Sequence, residues 1–549
     1  MILIFEALQR PAGLFETVGG SMYGAVVAVS NLLQCLGEVL SDLECWIIGD
    51  CDCSGNSDKC RLRIYLESLP LSIRRRSRCV STLDLMALAC DAHAIVLTDV
   101  PAAPAIIEWR AYLKLQHIPM CVLVHSVVSQ QSAAIYSYLR SQMLPWDKLV
   151  APSRASYLAV KSLLTDTIES SDYERKSDQV ELHPYPVRDY SNELLSKENA
   201  RLALQLPRDS FILLSLGRLS RVHKADLSGA LWTVQQLTAK GTLCNFICAG
   251  QALNESDALC VSAQARAYGI QHRLTLFPNF PEIVKPLLLS AADVLIAPSD
   301  SIQESFGLSL IEAMSAGLPL IASDWSGFRD IVVHGHNGYL IETTVDWELA
   351  KCAYRTPLRN PISLSAALAS ATVVSPRKIL EAAMLLATDI DLRIAMGRAS
   401  RADYVERFSN ATLADRYHGL FLRMLRDRLA QEGWNQECPS PLAPFSSFPT
   451  RPIDSDDYLF LNASSLILND LLAIKEEGPD VEREIIDLME MLHNSDMRIL
   501  EVVERGISRR AILWLLKKGL CELRRVEPRP SSSAVGGVRQ QSSDGYWEN

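Results

Sequence analysis

Residues 304–332 read ESFGLSLIEAMSAGLPLIASDWSGFRDIV, which is the most informative stretch of the chain. Apolar residues at helical spacing begin near Leu308, and a Gly-Leu-Pro sequence then ends the helix and leads into a short buried strand. Glu304 therefore lies in the loop before the helix, whereas Glu312 lies just over one turn inside it. The stretch predicts a loop, a helix and a buried strand, with two carboxylates close to the start of the helix.

The start of this helix offers backbone N–H groups at Phe306, Gly307 and Leu308. The helix dipole favours an anion there, and Gly307 allows a ligand to approach the main chain closely. Two carboxylates on the same side can accept hydrogen bonds from paired hydroxyl groups. The pattern predicts a site for a diphosphate that also carries hydroxyl groups. The alternative is that the glutamates are capping and surface charges, which are common at helix ends.

A second stretch, residues 213–227, reads LLSLGRLSRVHKADL and combines a buried strand with two cations. The strand ends at Gly217, and Arg218 and Lys224 follow in the next loop. A diphosphate leaving group gains negative charge as its bond breaks, and fixed cations in a water-poor site stabilise that charge. The sequence therefore predicts a phosphate clamp, and the alternative interpretation is a solvated basic loop.

Short apolar runs alternate with amphipathic stretches along most of the chain, which is typical of parallel strands with helical crossovers. The predicted strands lie at 1–5, 45–48, 94–98, 120–124 and 148–151, and then at 211–216, 244–249, 274–277, 294–297, 319–322 and 338–340. The predicted fold class is α/β, with two Rossmann-like, doubly wound domains that face a cleft and a small, mainly helical C-terminal module.

Composition shifts place the domain boundaries. The predicted parts are an N-terminal domain at 1–190, a second Rossmann-like domain at 191–400, helices at 401–430 that pack back on the first domain, a Pro/Ser-rich linker at 438–453, the C-terminal module at 454–526 and a disordered tail at 527–549. The last module ends like a winged-helix unit. DNA binding is one interpretation of it, but its mixture of acidic and basic residues favours a protein-docking or dimerisation module.

Bulk composition limits the function classes. The chain has 549 residues, which is too many for a single hydrophobic core. Its formal net charge of −10 and isoelectric point near 5.6 argue against nucleic-acid binding, because such proteins need a basic surface. The fourteen cysteines are scattered, which indicates a reduced, intracellular protein. With no signal peptide or membrane-spanning apolar run in the sequence, we expect a cytoplasmic protein, and peripheral contact with the inner membrane face stays open.

The two stretches resemble motifs of glycosyltransferase family 4, whose members have the GT-B fold. Residues 304–312 resemble the family's E-x7-E motif, and residues 217–224 resemble its G-R-x5-K phosphate clamp. The sequence departs from the commonest clamp because Ala225, rather than glycine, follows the lysine. The resemblance implies that Glu312 binds the ribose hydroxyls of a nucleotide-sugar donor and that Glu304 contacts the transferred sugar.

Weaker likenesses to the same family add further site residues. Gly19 and Gly20, in ETVGGSMYGA, resemble the glycine-rich loop that approaches the donor phosphates or the acceptor, and His125 resembles a histidine near the sugar. By the same analogy Ser299 borders the sugar and base, and Asn279 lies near the nucleobase. The expected catalytic residues are Arg218, Lys224, Glu304 and His125, and the expected donor-binding residues are Glu312, Gly19, Gly20, Gly217, Phe306, Gly307, Leu308, Ser299 and Asn279.

The resemblance implies a retaining glycosyltransferase that moves a sugar from a nucleoside-diphosphate donor to an acceptor hydroxyl. Donor binding is expected mainly in the second domain and acceptor binding mainly in the first, with front-face displacement as the mechanism. We expect no cofactor and no required metal ion, because no D-x-D motif lies in a metal-binding context. Cys51, Cys53 and Cys60 lack a usual zinc spacing and a fourth ligand.

Other functions remain open at this stage. A GT-B epimerase or phosphorylase would use the same donor site, and a non-catalytic sensor or scaffold could retain a sugar-nucleotide pocket. The acceptor is open as well, because loop shape rather than motif residues selects it. Saccharides, lipids, peptides and small molecules are all candidates, and the C-terminal module could add a protein partner or self-association.

Overall fold

The computed structural model divides the chain into two compact units, one with Met1–Cys51 and Asp58–Pro441 and the other with Asp52–Ser57 and Leu442–Asn549. The structure describes residues 2–6, 24–40, 43–48, 74–80, 92–97, 99–112, 114–125, 127, 132–165, 178–221, 224–252, 254–301, 304–349, 369–430, 456–461, 479–517 and 521–524. Several predicted features lie outside these residues, namely Gly19, Gly20, the cysteine cluster, the linker at 438–453 and the tail at 527–549.

The first half of the larger unit is built on a parallel sheet. Its described strands are β1 (Ile2–Glu6), β2 (Glu44–Ile48), β3 (Ser77–Val80), β4 (Ala94–Leu97), β5 (Met120–Leu123), β6 (Lys148–Ala151) and β7 (Val180–Leu182). Its described helices are α1 (Gly24–Val39), α2 (Ala103–Tyr112), α3 (Ser132–Gln142) and α4 (Arg154–Thr165). The spatial order of the strands is β3-β2-β1-β4-β5-β6-β7, so the order reverses between β1 and β4.

The second half repeats this topology. Its parallel sheet contains β8 (Phe211–Leu216), β9 (Cys244–Gly250), β10 (Leu274–Pro278), β11 (Val294–Ala297), β12 (Leu320–Ser323) and β13 (Gly338–Ile341), in the order β10-β9-β8-β11-β12-β13. Its helices are α5 (Lys197–Ala203), α6 (Ser228–Ala239), α7 (Glu255–Ala267), α8 (Lys285–Ala291), α9 (Leu308–Ser315) and α10 (Phe328–Ile331). The strand order reverses between β8 and β11, and ligands of doubly wound sheets bind beyond the carboxyl ends at such a point.

The remaining described elements of the larger unit follow the second sheet. They are an antiparallel pair, β14 (Thr343–Val345) and β15 (Thr372–Val374), and the helices α11 (Pro376–Thr388), α12 (Ile390–Arg407) and α13 (Asn410–Leu429). Helix α13 returns to the first half, where Leu413 and Ala414 pack against Cys35 of α1. The Cys35 thiol also donates to the Asn410 carbonyl oxygen at 3.2 Å.

Every strand predicted from the sequence is present, with ends within one residue of the prediction. The central strands are buried on both faces, so their apolar runs are continuous and easy to recognise. The sequence did not predict β3, β7, β14 and β15. Each of these has only three or four residues and carries polar side chains, so no long apolar run marks it.

The smaller unit combines helices with an antiparallel sheet. Its described elements are β16 (Tyr458–Leu461), α14 (Pro479–Asn494), β17 (Met497–Arg498), α15 (Ile499–Glu504), α16 (Arg509–Lys517) and β18 (Cys521–Arg524), with the strand order β17-β16-β18. Leu459, Ile485, Val502 and Leu515 are among its buried residues. Strand β18 follows the last described helix of this unit. Among the described residues of the whole chain, no helix combines the length and apolar character needed to cross a membrane.

Candidate active site

The candidate site lies at the point where the strand order of the second sheet reverses. Gly217 follows β8 directly, and Ser299 lies two residues after the end of the neighbouring strand β11. The φ angle of Gly217 is +147°, and a Cβ atom there would lie 2.7 Å from Cε of Lys224. The positive φ favours glycine at this position, and the missing Cβ leaves room for the lysine side chain to pass close to the end of the strand.

The loop between β8 and α6, residues 217–227, is called the clamp loop. Within it, Lys224 contacts Glu304, the first glutamate of the motif. Its Nζ lies 2.6 Å from Glu304 Oε2, and both side chains are largely buried. The hydroxyl of Ser299 donates to the Lys224 carbonyl oxygen at 2.8 Å, which ties the loop to the end of β11. The structure thus brings together three of the residues that the sequence assigned to the site.

A cavity of about 280 Å³ lies beside the clamp loop. Gly217, Arg218, Lys224 and Ser299 line it, together with residues of α7 such as Asp257. The two motif glutamates are not among the lining residues. Lys224 belongs to both neighbourhoods, because it lines the cavity and also contacts Glu304, so the clamp and the motif are adjacent parts of one site.

Helix α9 begins at Leu308, as the sequence predicted, and no side chain in the described part of the chain caps its start. Gly307 precedes it with a φ angle of +128°, and a Cβ atom there would lie 2.8 Å from Cε1 of Phe328. The hydroxyl of Ser309, in the first turn, is buried and has no hydrogen-bond partner among the described residues. An uncapped helix start beside a buried hydroxyl donor is suited to an anion. Sequence analysis missed Ser309, although a hydroxyl in the first turn of a helix was the available signal.

Phe306 contributes its backbone at this point, because its side chain belongs to the core. Its ring lies 5.8 Å from Tyr185 and 6.4 Å from Phe408, centroid to centroid, with edge-to-face geometry in both cases. The side chain is almost fully buried. Aromatic packing therefore fixes the loop between Glu304 and the helix start.

Glu312 is buried and paired with a lysine that the sequence analysis did not identify. Glu312 Oε1 lies 2.9 Å from Nζ of Lys285, the first residue of α8. Burial raises the pKa of Glu312, and the ammonium group of Lys285 opposes this rise. The signal available in the sequence was a lone lysine at the start of an apolar helix, KPLLLSA.

Two residues of the first half, His125 and Ser153, form hydrogen bonds with the loop that precedes α9, which carries Glu304 and Ser305 and is called the motif loop. The Ser305 hydroxyl donates to the His125 carbonyl oxygen at 2.6 Å, and the Ser153 hydroxyl donates to the Ser305 carbonyl oxygen at 2.7 Å. The His125 ring packs against Tyr185 with a centroid distance of 4.8 Å. His125 thus lies at the carboxyl end of β5, next to the loop that carries Glu304.

The side chain of Asn279 bonds to the main chain between β9 and β10. Its Oδ1 accepts from the Ala252 N–H at 3.0 Å, and its Nδ2 donates to the Ala252 carbonyl oxygen at 3.3 Å. The residue also adopts a positive φ of 51°. These bonds hold the loop at the ends of the two strands, and contact with a nucleobase stays a prediction.

Asp300, the residue after Ser299, forms a second hydrogen bond with the clamp loop. Its Oδ2 accepts from the Asp226 N–H at 3.4 Å, and Asp226 itself pairs with Arg221 at 2.8 Å. Asp300 is 7% exposed, and burial raises its pKa to about 7. The clamp loop is therefore bonded to the end of β11 at two points, Ser299 and Asp300.

Part of the chain is similar in sequence to known glycosyltransferases. Residues 196–371 match the family model for glycosyl transferases group 1. The D-inositol 3-phosphate glycosyltransferase of Streptosporangium roseum is 28% identical over 180 residues, which are 31% of this chain and 41% of that protein. The N-acetyl-alpha-D-glucosaminyl L-malate synthase of Bacillus anthracis is 26% identical over 140 residues, or 26% of this chain and 28% of that protein. In each case the matched segment spans less than half of the curated relative.

Solved structures extend the similarity to the fold of the larger unit. Anabaena Alr3699/HepE in complex with UDP and glucose has a TM-score of 0.54 and 16% identity, covering 77% of this chain and 100% of that one. A glycosyltransferase from Rickettsia africae has a TM-score of 0.53 and 16% identity, covering 77% of this chain and 98% of that one. Two parallel α/β sheets of the same strand order and these similarities confirm the predicted GT-B fold.

Proposed function

We propose that the protein is a retaining glycosyltransferase of the family 4 type, which moves a sugar from a nucleoside-diphosphate donor to an acceptor hydroxyl. The contact between Lys224 and Glu304 carries this proposal, because it joins the clamp and the carboxylate motif at the end of a Rossmann-like sheet. Neither motif alone would specify a sugar donor. Together they provide cations for a diphosphate and carboxylates for hydroxyl groups.

The diphosphate of the donor would bind between the clamp and the start of α9. Arg218 offers a planar fork and Lys224 a compact charge, so the two cations can divide the two phosphates. The N–H groups at the start of α9 and the hydroxyl of Ser309 would complete the shell. Donor binding would also draw Lys224 from Glu304 towards a phosphate, which leaves Glu304 able to accept from a sugar hydroxyl.

In the proposed reaction the bond between the anomeric carbon and the phosphate oxygen breaks, and the acceptor oxygen bonds to the same face of that carbon. The acceptor proton passes to the departing phosphate oxygen, so a nucleoside diphosphate leaves. Arg218, Lys224 and the helix start stabilise the charge that develops on it. His125, at the end of β5, belongs to the first half of the larger unit, which we expect to bind the acceptor.

We infer that the reaction needs no metal ion, because two fixed cations and a helix start can neutralise the leaving group. The sugar nucleotide would be a substrate, with no further cofactor. Addition of EDTA to protein purified without metal should leave the transfer rate unchanged. A loss of activity that magnesium or manganese restores would show that the clamp is insufficient.

The donor can be identified before the acceptor. Thermal unfolding in the presence of UDP, GDP, ADP and their sugars should show a higher midpoint with one base, because a ligand that binds only the folded state stabilises it. UDP is the first candidate, since the Anabaena protein was solved with UDP. The anomeric configuration of the product, determined by NMR, tests retention. An epimerised donor would indicate an epimerase, and phosphate-dependent cleavage would indicate a phosphorylase. Nucleotide binding without turnover across acceptors would indicate a non-catalytic sensor or scaffold.

For the smaller unit we propose protein docking or self-association. Its described surface mixes acidic residues such as Glu484 and Glu490 with basic residues such as Arg483 and Arg505. A nucleic-acid surface would need a basic excess. Light scattering of the full-length protein tests self-association, and retention of the protein by duplex DNA at physiological salt would contradict the proposal.

A further inference from the structure

A lysine outside both sequence motifs contacts the second motif glutamate. Lys285 Nζ lies 2.9 Å from Glu312 Oε1 and 2.8 Å from Glu282 Oε1. The side chain of Lys285 is 10% exposed and that of Glu312 is 8% exposed, so this pair is almost completely removed from water. Desolvating two charges offsets much of their attraction, which makes such a pair a poor stabilising device. Its position in the candidate site indicates another role.

The surroundings of Lys285 also hold its ammonium group in place. The Tyr190 hydroxyl donates to Glu282 Oε1 at 2.6 Å, and the centre of its ring lies 5.7 Å from Lys285 Nζ. The Tyr190 N–H donates to the Ser315 hydroxyl at 3.2 Å, and that hydroxyl donates to the Glu312 carbonyl oxygen at 2.7 Å. One connected network therefore fixes both the lysine and the helix that carries the glutamate.

Three charged side chains influence the ionisation of Glu312. Burial raises its pKa, Lys285 lowers it, Glu282 raises it and Lys224 lowers it, in descending order of effect. For Lys285, burial lowers the pKa, but Glu312, Tyr190 and Glu282 outweigh burial and hold it well above its usual value. Lys285 therefore stays charged through the neutral range, and it is the main group that keeps a proton from Glu312.

We propose that Lys285 is a positioning residue that holds the Glu312 carboxylate charged and oriented for the ribose hydroxyls of the donor. The inference rests on the proposed function, in which Glu312 accepts those hydrogen bonds. An ionised carboxylate only accepts hydrogen bonds, so it suits two hydroxyl donors, whereas a protonated carboxyl must itself donate one. Without Lys285 the buried carboxylate loses the main group that lowers its pKa, so it takes up a proton more readily and ribose recognition weakens as the pH falls.

The test compares Lys285→Met with the wild-type protein, with UDP and 2′-deoxy-UDP as probes in calorimetric titrations at about pH 6 and about pH 8.5. GDP or ADP and their deoxy forms replace these probes if the thermal screen selects another base. The wild type should prefer the ribonucleotide over the deoxy form about tenfold at both pH values, as expected for one charge-assisted hydrogen bond. In the variant, ribonucleotide affinity relative to the wild type should fall about tenfold from the higher to the lower pH, where the ribose preference should disappear.

Two further variants separate the proposed role from general damage. Lys285→Arg keeps the charge and should behave like the wild type. Lys197→Met is the matched control, because Lys197 pairs with a buried carboxylate, Asp293, at 2.6 Å, but Arg201 also neutralises that carboxylate at 2.7 Å. This control should leave both pH dependence and ribose preference unchanged. Lys285→Gln removes the charge but keeps a donor, and it replaces Lys285→Met if the latter does not fold.

The possible results distinguish this inference from the proposed function. If the charge-deleted variant keeps the wild-type pH profile and ribose preference, Lys285 does not position Glu312, while the donor site stands. If the wild-type protein binds none of the three nucleoside diphosphates, the proposed function fails and the role of Lys285 fails with it.

Discussion

Lys224 Nζ lies 2.6 Å from Glu304 Oε2, so the cation expected to hold the leaving group is paired with the carboxylate expected to contact the sugar. In the sequence these residues belong to two separate motifs. In the structure they form one ion pair beyond the carboxyl ends of the central strands of the second sheet. On the proposed function, a bound donor would replace this ion pair by two contacts, one from Lys224 to a phosphate and one from a sugar hydroxyl to Glu304.

Lys224→Ala should reduce the turnover number by about two to three orders of magnitude, because it removes a fixed charge that stabilises the leaving group. The double variant Lys224→Ala/Glu304→Ala should lose little more, since residues that act as a unit are not additive. Steady-state rates of nucleotide release measure both. The exposed lysine Lys240, changed to alanine, serves as the control. Normal sugar transfer by Lys224→Ala and Glu312→Ala would defeat the assignment of the site.

Gly307→Ala should destabilise the larger unit and weaken donor binding. The added Cβ would lie 2.8 Å from Phe328 Cε1, and the backbone conformation favours glycine. We therefore expect the free energy of unfolding to fall by about 1–3 kcal/mol. Gly241→Ala is the matched control, because Gly241 also has a positive φ but a Cβ added there would point into open space among the described residues. Urea unfolding curves compare the two. Equal losses of unfolding free energy in the two variants would show that only the strain of a positive φ matters, and that the contact with Phe328 does not.

Asp300 should make stability depend on pH. Burial raises its pKa to about 7, so the folded state holds a proton that the unfolded state releases above about pH 4. This contribution to stability is fully present below the unfolded pKa and is lost as the pH rises towards 7, on the order of a few kcal/mol. Asp300→Asn should therefore flatten the decline in urea midpoint between about pH 4 and about pH 7. The exposed Asp209, changed to asparagine, should leave the decline intact.

Ser305→Ala should uncouple the two halves of the larger unit at the motif loop. It removes the hydrogen bond to the His125 carbonyl oxygen, which contributes about 1 kcal/mol, so we expect a loss in kcat of up to about tenfold. Nucleotide affinity should change little, because most of the residues expected to bind the donor lie in the second half. The control is Ser262→Ala, whose hydroxyl bonds only within α7 among the described contacts. Unchanged kcat in Ser305→Ala would mean that this contact does not align the site.

The local features of the site could be predicted from the sequence because they depend on neighbouring residues. The start of α9 at Leu308 followed from helical spacing and the preceding glycine, and the structure confirms it. The central strands followed from continuous apolar runs, since strands buried on both faces carry few polar side chains. The clamp of Arg218 and Lys224 followed from the charges after β8.

The α/β fold class, the positions of the central strands and the two motifs with their charges could therefore be predicted from the sequence. The pairing of Lys285 with Glu312 and the hydrogen bond from Ser305 to His125, 180 residues away in the chain, became visible only in the folded molecule. Backbone preference and hydrophobic periodicity are local properties, so a sequence reveals them directly. The partner of a buried charge instead depends on which loops the strand order brings to the same edge of a sheet.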